Sequence, residues 1–271
     1  MKIFAIRDET DSTGKDIAFL FYYEQDKRFY IELPEDADPW ETPLLLSSFL
    51  KKGERTVNAY WSKIWVQQRI VPSDRQNLGQ ILKANGLEMY DEFELLMLAD
   101  GRCAQDDYYL VPIPESDLPE SFVLRFQTKV EDIIPLLKGY LLVFFRDGSV
   151  KKCDVVPVLA ENNAFSQIMK NDELFRNVSI QPGGYGVNWG ENLNIADDTL
   201  YNCGVAVPLS LEDFRQFVAS RVVNTAETAE MLQCSRQNVD DLIRRGKLHP
   251  VKSTSKNKLF LKSEIIQRKW K

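Results

Sequence analysis

Residues 224–250 read NTAETAEMLQCSRQNVDDLIRRGKLHP, and the local chemistry of this stretch decides what its part of the chain builds. Asn224, with Glu227 three positions on, has the layout of a capping box: the Asn side chain accepts from the third helical N–H while the Glu reaches back to the cap. A short first helix is predicted to start there, with Ala229 and Leu232 at three-residue spacing and Met231 beside them. Gln233-Cys234 forms the expected turn. Ser235 is a good N-cap for a second helix, Arg236 to Arg245, whose inner face is Val239, Leu242 and Ile243 at i, i+3 and i+4. Gly246 stands where a helix closes in the left-handed region and Pro250 forbids continuation.

Outward from this core, Leu248 to Leu261 is expected to form an extended excursion carrying Lys252, Lys256 and Lys258, followed by a closing helix from Ser263 that runs into Trp270. The whole run, NTAETAEMLQCSRQNVDDLIRRGKLHPVKSTSKNKLFLKSEI, resembles the excisionase and MerR-like winged helix-turn-helix: a capped Ala-containing helix, Ser-Arg at the second helix, then Arg-Arg-Gly-Lys-Leu. It departs from that pattern at Gln233, where the family usually has Gly.

The charge balance agrees with a reader of polyanions. From Arg221 to Lys271 there are 12 Lys or Arg against 5 Asp or Glu, a net of +7; the chain totals of 34 and 40 leave 22 basic and 35 acidic residues for positions 1–220, a net of −13. In a helix-turn-helix the first residues of the second helix face base edges, and Arg, Asn and Gln make bidentate contacts to guanine and adenine. Arg236, Gln237 and Asn238 are therefore the expected base contacts. Ser235, Arg244, Arg245, Lys247, Lys252, Lys256 and Lys258 are the expected phosphate contacts, which fix register and supply salt-dependent affinity.

Composition narrows the alternatives. Of 271 residues, 44% are hydrophobic, ordinary for globular protein with room for two or three domains. No apolar run approaches the roughly 20 residues of a membrane span, and MKIFAIRDET lacks a signal-peptide layout, so a cytoplasmic location is expected. Cys103, Cys153, Cys203 and Cys234 are dispersed without a Cys-x-x-Cys pair and read as small buried residues, with no disulfide or metal site implied. The single histidine, His249, sits beside Pro250, so any His-dependent catalysis would have to be built around that position. Asp106-Asp107 and Asp197-Asp198 are read as solvated turn or cap carboxylates. QPGGYGVNWG has Trp189 where a dinucleotide fingerprint needs its third Gly, and reads as a turn between strands. No enzyme chemistry and no cofactor are expected.

Residues 1–112 open with the strand-like runs MKIFAIRD, IAFLFYYE and RFYIELP. Helices are predicted after them: Leu44 to Leu50; Val57 to Val71 with Trp61 and Trp65 on one face; a helix capped by a Ser73–Gln76 box and closed by Gly86; and one capped by Asp91 and ending at Gly101. The run RIVPSDRQNLGQILKANGLEMYDEFELLMLADGRCAQDD resembles the amino-terminal subdomain of HipA-type toxin kinases, through Pro72, Arg75, Gly86, Leu87, Asp91, Phe93, Leu95, Leu96 and Gly101. The kinase body and its catalytic residues are missing, so this resemblance implies an interaction role and no phosphoryl transfer.

After the proline-rich joint VPIPESDLPESF, residues 119–205 read as a second α+β unit. YLLVFFRDGSVKKCDV is expected to be a hairpin around Asp147-Gly148, a type I′ signal, NAFSQIMKNDELFRNV a short helical stretch, and residues 178–205 strand, turn, strand and a helical turn. This unit resembles a small bacterial domain of unknown function through Asp147, Gly148, Leu174, Phe175, Gly186, Trp189, Leu200, Tyr201 and Gly204. Members of that family often sit beside toxin–antitoxin genes or are fused to helix-turn-helix modules. Trp189 and Tyr201 are expected in a core or interface. Residues 209–223 read as a linker helix capped by Ser210, with Phe214, Phe217 and Val218 at helical spacing, either joining the modules rigidly or forming a dimer seam.

The expected fold class is α+β and multi-domain: units at 1–112 and 119–205, the linker helix, then a winged helix-turn-helix at 224–271. The expected function is a DNA-binding transcriptional regulator, antitoxin-like or autoregulatory, acting on double-stranded DNA as a homodimer and holding a protein partner through residues 1–205. The alternative is an interaction factor of phage or mobile-element biology that sequesters a partner with its acidic body and binds DNA only for autoregulation.

Overall fold

A computed structural model describes residues 1–160, 168–190 and 193–269. The chain forms two compact units, residues 1–147 with 152–205, and residues 206–271 with 148–151. The fold is α+β, as the patterning predicts.

The first unit begins with an antiparallel five-stranded sheet of β1 (Lys2–Asp8), β2 (Ala18–Tyr23), β3 (Arg28–Glu32), β4 (Thr56–Val57) and β5 (Tyr108–Pro112), in the order β4-β3-β2-β1-β5. Its strands read as nearly continuous apolar runs because both faces are covered. Phe4, Ile6, Leu20, Tyr22, Phe29 and Ile31 pack on one side with residues of α1 (Leu44–Lys51), α2 (Ala59–Gln67) and α4 (Glu92–Met97). Ile3, Ala5, Phe19, Phe21 and Tyr30 pack on the other with Leu118, Phe122 of α5 (Glu120–Gln127) and Tyr185. Residues from both sides of the proline-rich joint thus share one core, and the two stretches read as separate domains lie in one compact unit.

Several local expectations are corrected. α3 (Leu78–Ala84) starts at Asn77 without a side-chain cap, so Ser73 and Gln76 form no capping box. The helix expected over 57–71 is limited to α2, because Val57 pairs with Ile31 as part of β4. Asp91 does cap α4, accepting from the Phe93 and Glu94 amides.

After the proline-rich joint come β6 (Val130–Pro135) paired with β7 (Tyr140–Phe145), then β8 (Val150–Asp154), α6 (Val156–Leu159), α7 (Asp172–Arg176), the antiparallel sheet of β9 (Ser179–Ile180), β10 (Gly186–Asn188) and β11 (Asn194–Ala196), and α8 (Asp197–Cys203). Four residues, Arg146 to Ser149, separate β7 from β8, and only Gly148 of the Asp147-Gly148 pair has positive φ (+82°), so the turn is not type I′. Part of the expected helical stretch at 163–178 lies outside the described residues. Trp189 is in the core, its Nε1 donating to the Phe175 carbonyl at 2.8 Å. Gly186 is required by close approach: a Cβ there would stand 2.1 Å from the Ile195 carbonyl oxygen. Cys153 is buried, but Cys203 is exposed.

Asp197 departs furthest from its expected solvated role. It is buried, and its carboxylate lies 3.2 Å from Lys129 Nζ, which reaches the fully buried Glu32 at 3.4 Å; Arg125 completes the group 3.3 Å from Glu32. Burial raises the Asp197 pKa above the ordinary 3.8, outweighing the lowering by Lys129.

Candidate nucleic-acid interface

β12 (Val205–Val207) begins on the last residue of the first unit, and α9 (Leu211–Arg221) follows in the second, opening on a Ser210–Asp213 capping box. The linker helix stops two residues short of its expected end. Val222 and Val223 are β-branched, and Val222–Asn224 forms β13, pairing with Leu259–Leu261. Phe217 and Val218 of α9 are exposed.

The two short helices stand where the capping chemistry places them. α10 (Thr225–Met231) has the complete box: Asn224 Oδ1 accepts from the Ala226 and Glu227 amides, and the Asn224 amide donates to Glu227 Oε2 at 2.7 Å. Gln233 takes the turn with φ +52°, a left-handed conformation that Gly adopts without cost and other residues at about 1–2 kcal/mol. α11 (Arg236–Arg244) is capped by Ser235, which accepts from the Asn238 amide, and Gly246 closes it at φ +61°. Val239 is buried with Val223, Ala229, Leu248, Phe260 and Ile265, and Leu242 and Ile243 lie against this core. The excursion after Pro250 is a hairpin of β14 (Lys252–Ser253) and β15 (Lys258–Leu261) in a sheet of order β13-β15-β14. α12 (Lys262–Lys269) follows; the expected run into Trp270 lies outside the described residues. His249 is exposed, its Nδ1 3.0 Å from Glu264 Oε1.

An open cleft of about 770 Å³ runs between the start of α10, the first turns of α11 and the hairpin. Arg236 and Asp240, one helical turn apart, line it from α11, and Lys252, Thr254, Lys256 and Lys258 line it from the hairpin. Gln237 and Asn238 are exposed beside Arg236 but do not line the cleft, so the three residues expected to act together are divided between it and the neighbouring surface. Ser235, Arg244, Arg245, Lys247, Lys252 and Lys256 are exposed.

Two expected phosphate contacts already have partners. Lys258 Nζ lies 2.6 Å from Asp240 Oδ1, and Arg244 is ion-paired with Asp241. Counting basic residues missed this. The available signal was the adjacent pair Asp240-Asp241 on the helix expected to face a polyanion.

A capped helix pair with a basic hairpin wing is the architecture of a winged helix-turn-helix. Accordingly, residues 222–271 match the family model described as a helix-turn-helix domain, which supports a DNA-binding regulator. Residues 135–205 match the model described as a protein of unknown function (DUF2442), so a domain of that type lies in the middle of the chain. No curated protein and no solved structure matches the chain. Among the described residues no helix is long and apolar enough to cross a membrane.

Proposed function

We propose that the protein is an autoregulatory, antitoxin-like transcriptional repressor that reads double-stranded DNA through its carboxy-terminal unit and holds a protein partner through residues 1–205. The cleft carries the reading: it is open, flanked by exposed cations, and lined by Arg236 at the start of a capped helix. Arg236, Gln237 and Asn238 contact bases. Arg245, Lys247, Lys252 and Lys256 contact phosphates, joined by the Ser235 hydroxyl, which can donate while its oxygen caps α11. Arg244 and Lys258 join them only after leaving their carboxylates. One such module seldom gives enough specific affinity, so the protein acts as a homodimer on two half-sites.

The protein-binding role is supported by exposed aromatic groups in the first unit. Trp40 is 91% exposed and Tyr60 67%, and Trp and Tyr are enriched among residues that anchor protein interfaces. The resemblance of residues 69–107 to an interaction subdomain of toxin kinases points the same way. We assign the protein no catalytic step and a cytoplasmic location. A sequestering factor that binds DNA only for its own control is the second reading, favoured by the −13 balance of residues 1–220.

Duplex binding under a salt titration tests the first reading. The full-length protein is expected to select its own upstream DNA over random duplex and to elute as a dimer. Equal affinity for both, with a basic protein co-purifying, would favour the second.

A further inference from the structure

Asp240 is an acidic residue on the wall of a cleft proposed to hold a polyanion, and it is ion-paired. Its Oδ1 is held 2.6 Å from Lys258 Nζ on β15, and both side chains are about half-buried or less exposed (48% and 33%). It stands one turn beyond Arg236 on α11, so the two side chains share a flank of the helix and face the same cleft. A carboxylate carries only acceptors, and the complementary groups in the major groove are the exocyclic amines, N4 of cytosine and N6 of adenine. Guanine O6 and N7 and thymine O4 are acceptors and repel it. Arg236 beside it has the opposite preference and suits guanine.

We infer that Asp240 is a specificity-determining residue: held in place by Lys258, it selects an amine-bearing base, cytosine before adenine, near the base that Arg236 reads. This rests on the DNA-reading role proposed for the module. Lys258 acts as a positioning residue. It keeps the carboxylate in one geometry before DNA arrives, which lowers the ordering cost of the contact, and it offsets part of the repulsion between Asp240 and neighbouring phosphates. The pairing also keeps Lys258 from acting as a free phosphate contact.

The test is a competition assay in which full-length protein selects from duplexes randomised at every position, followed by titrations on the selected duplex and its single-base variants. Wild type is expected to prefer cytosine or adenine over guanine and thymine at one position by about five- to tenfold, the low end for a base contact. Asp240→Ala is expected to remove the preference at that position while leaving the guanine position intact. Asp240→Asn, with a donor added, is expected to shift it toward adenine. Lys258→Met is expected to weaken it without changing its identity. If Asp240→Ala binds all duplexes more tightly and keeps every base preference, Asp240 acts only through charge and the inference is overturned, with the DNA-reading role intact. If wild type shows no preference anywhere, both fall.

Discussion

The ion pairs on the recognition helix make an uneven prediction about six lysines and arginines that look alike in the sequence. Arg245, Lys247, Lys252 and Lys256 are exposed, whereas Lys258 and Arg244 are held by Asp240 and Asp241. Each phosphate neutralised contributes about −0.9 to the slope of log affinity against log salt. Four contacts per protomer therefore give a slope of about −3.6, and affinity should fall roughly 150-fold between 50 and 200 mM salt. Lys256→Ala is expected to reduce the slope to about −2.7 and the loss to roughly 40-fold. Lys258→Ala should leave the slope near −3.6, because its charge is already compensated; its effect falls on the intercept. For a dimer on two half-sites all slopes double. The assay is fluorescence anisotropy with a labelled random duplex, where base contacts do not intrude. If Lys258→Ala flattens the slope as much as Lys256→Ala, the Asp240 pairing does not persist on DNA and Lys258 is a phosphate contact like Lys256.

Three further predictions concern stability. Lys129→Met leaves Glu32 and Asp197 buried without their shared ammonium and is expected to cost about 3–5 kcal/mol, read as a drop of roughly 10 °C in the Tm of the first unit; an unchanged Tm would show that water reaches the group. Gln233→Gly relieves a left-handed non-glycine residue, less the extra freedom Gly has when unfolded, for a net gain of up to about 1 kcal/mol in the carboxy-terminal unit; thermal denaturation of the full chain should show its transition rise. Asp197 has a folded-state pKa above 3.8, so its favourable contribution is complete below pH 3.8 and is lost as pH rises through the raised value. Asp197→Asn should remove that portion of the pH dependence, measured as a flatter Tm profile over this window.

Local chemistry made the helix-turn-helix legible because each boundary has a dedicated side chain: Asn224 with Glu227, Ser235, Gly246 and Pro250. The strands of residues 1–32 were legible from β-branched and aromatic density. Long-range pairing was not legible. Val222–Asn224 becomes a strand because Leu259–Leu261 lies 37 residues later to receive it, roughly the span of the whole module, and helical spacing of Phe214, Phe217 and Val218 said nothing of that partner. The buried Glu32–Lys129–Asp197 group joins residues far apart in the chain, and side-chain polarity alone assigns each of them to solvent. In the candidate site, the exposed Arg236, Gln237 and Asn238 were foreseeable from the Ser235 cap. The division between free and occupied cations was not, since it depends on how the wing hairpin folds back on α11.

Sequence-specific DNA reading through Arg236 is measured by the affinity of the full-length protein for DNA upstream of its own gene against a scrambled duplex of equal length, with Arg236→Ala in parallel. Wild type is expected to prefer the upstream duplex by about a thousandfold or more, a preference mostly lost in the variant while binding to the scrambled duplex changes little. Equal affinity of wild type for the two duplexes would contradict it.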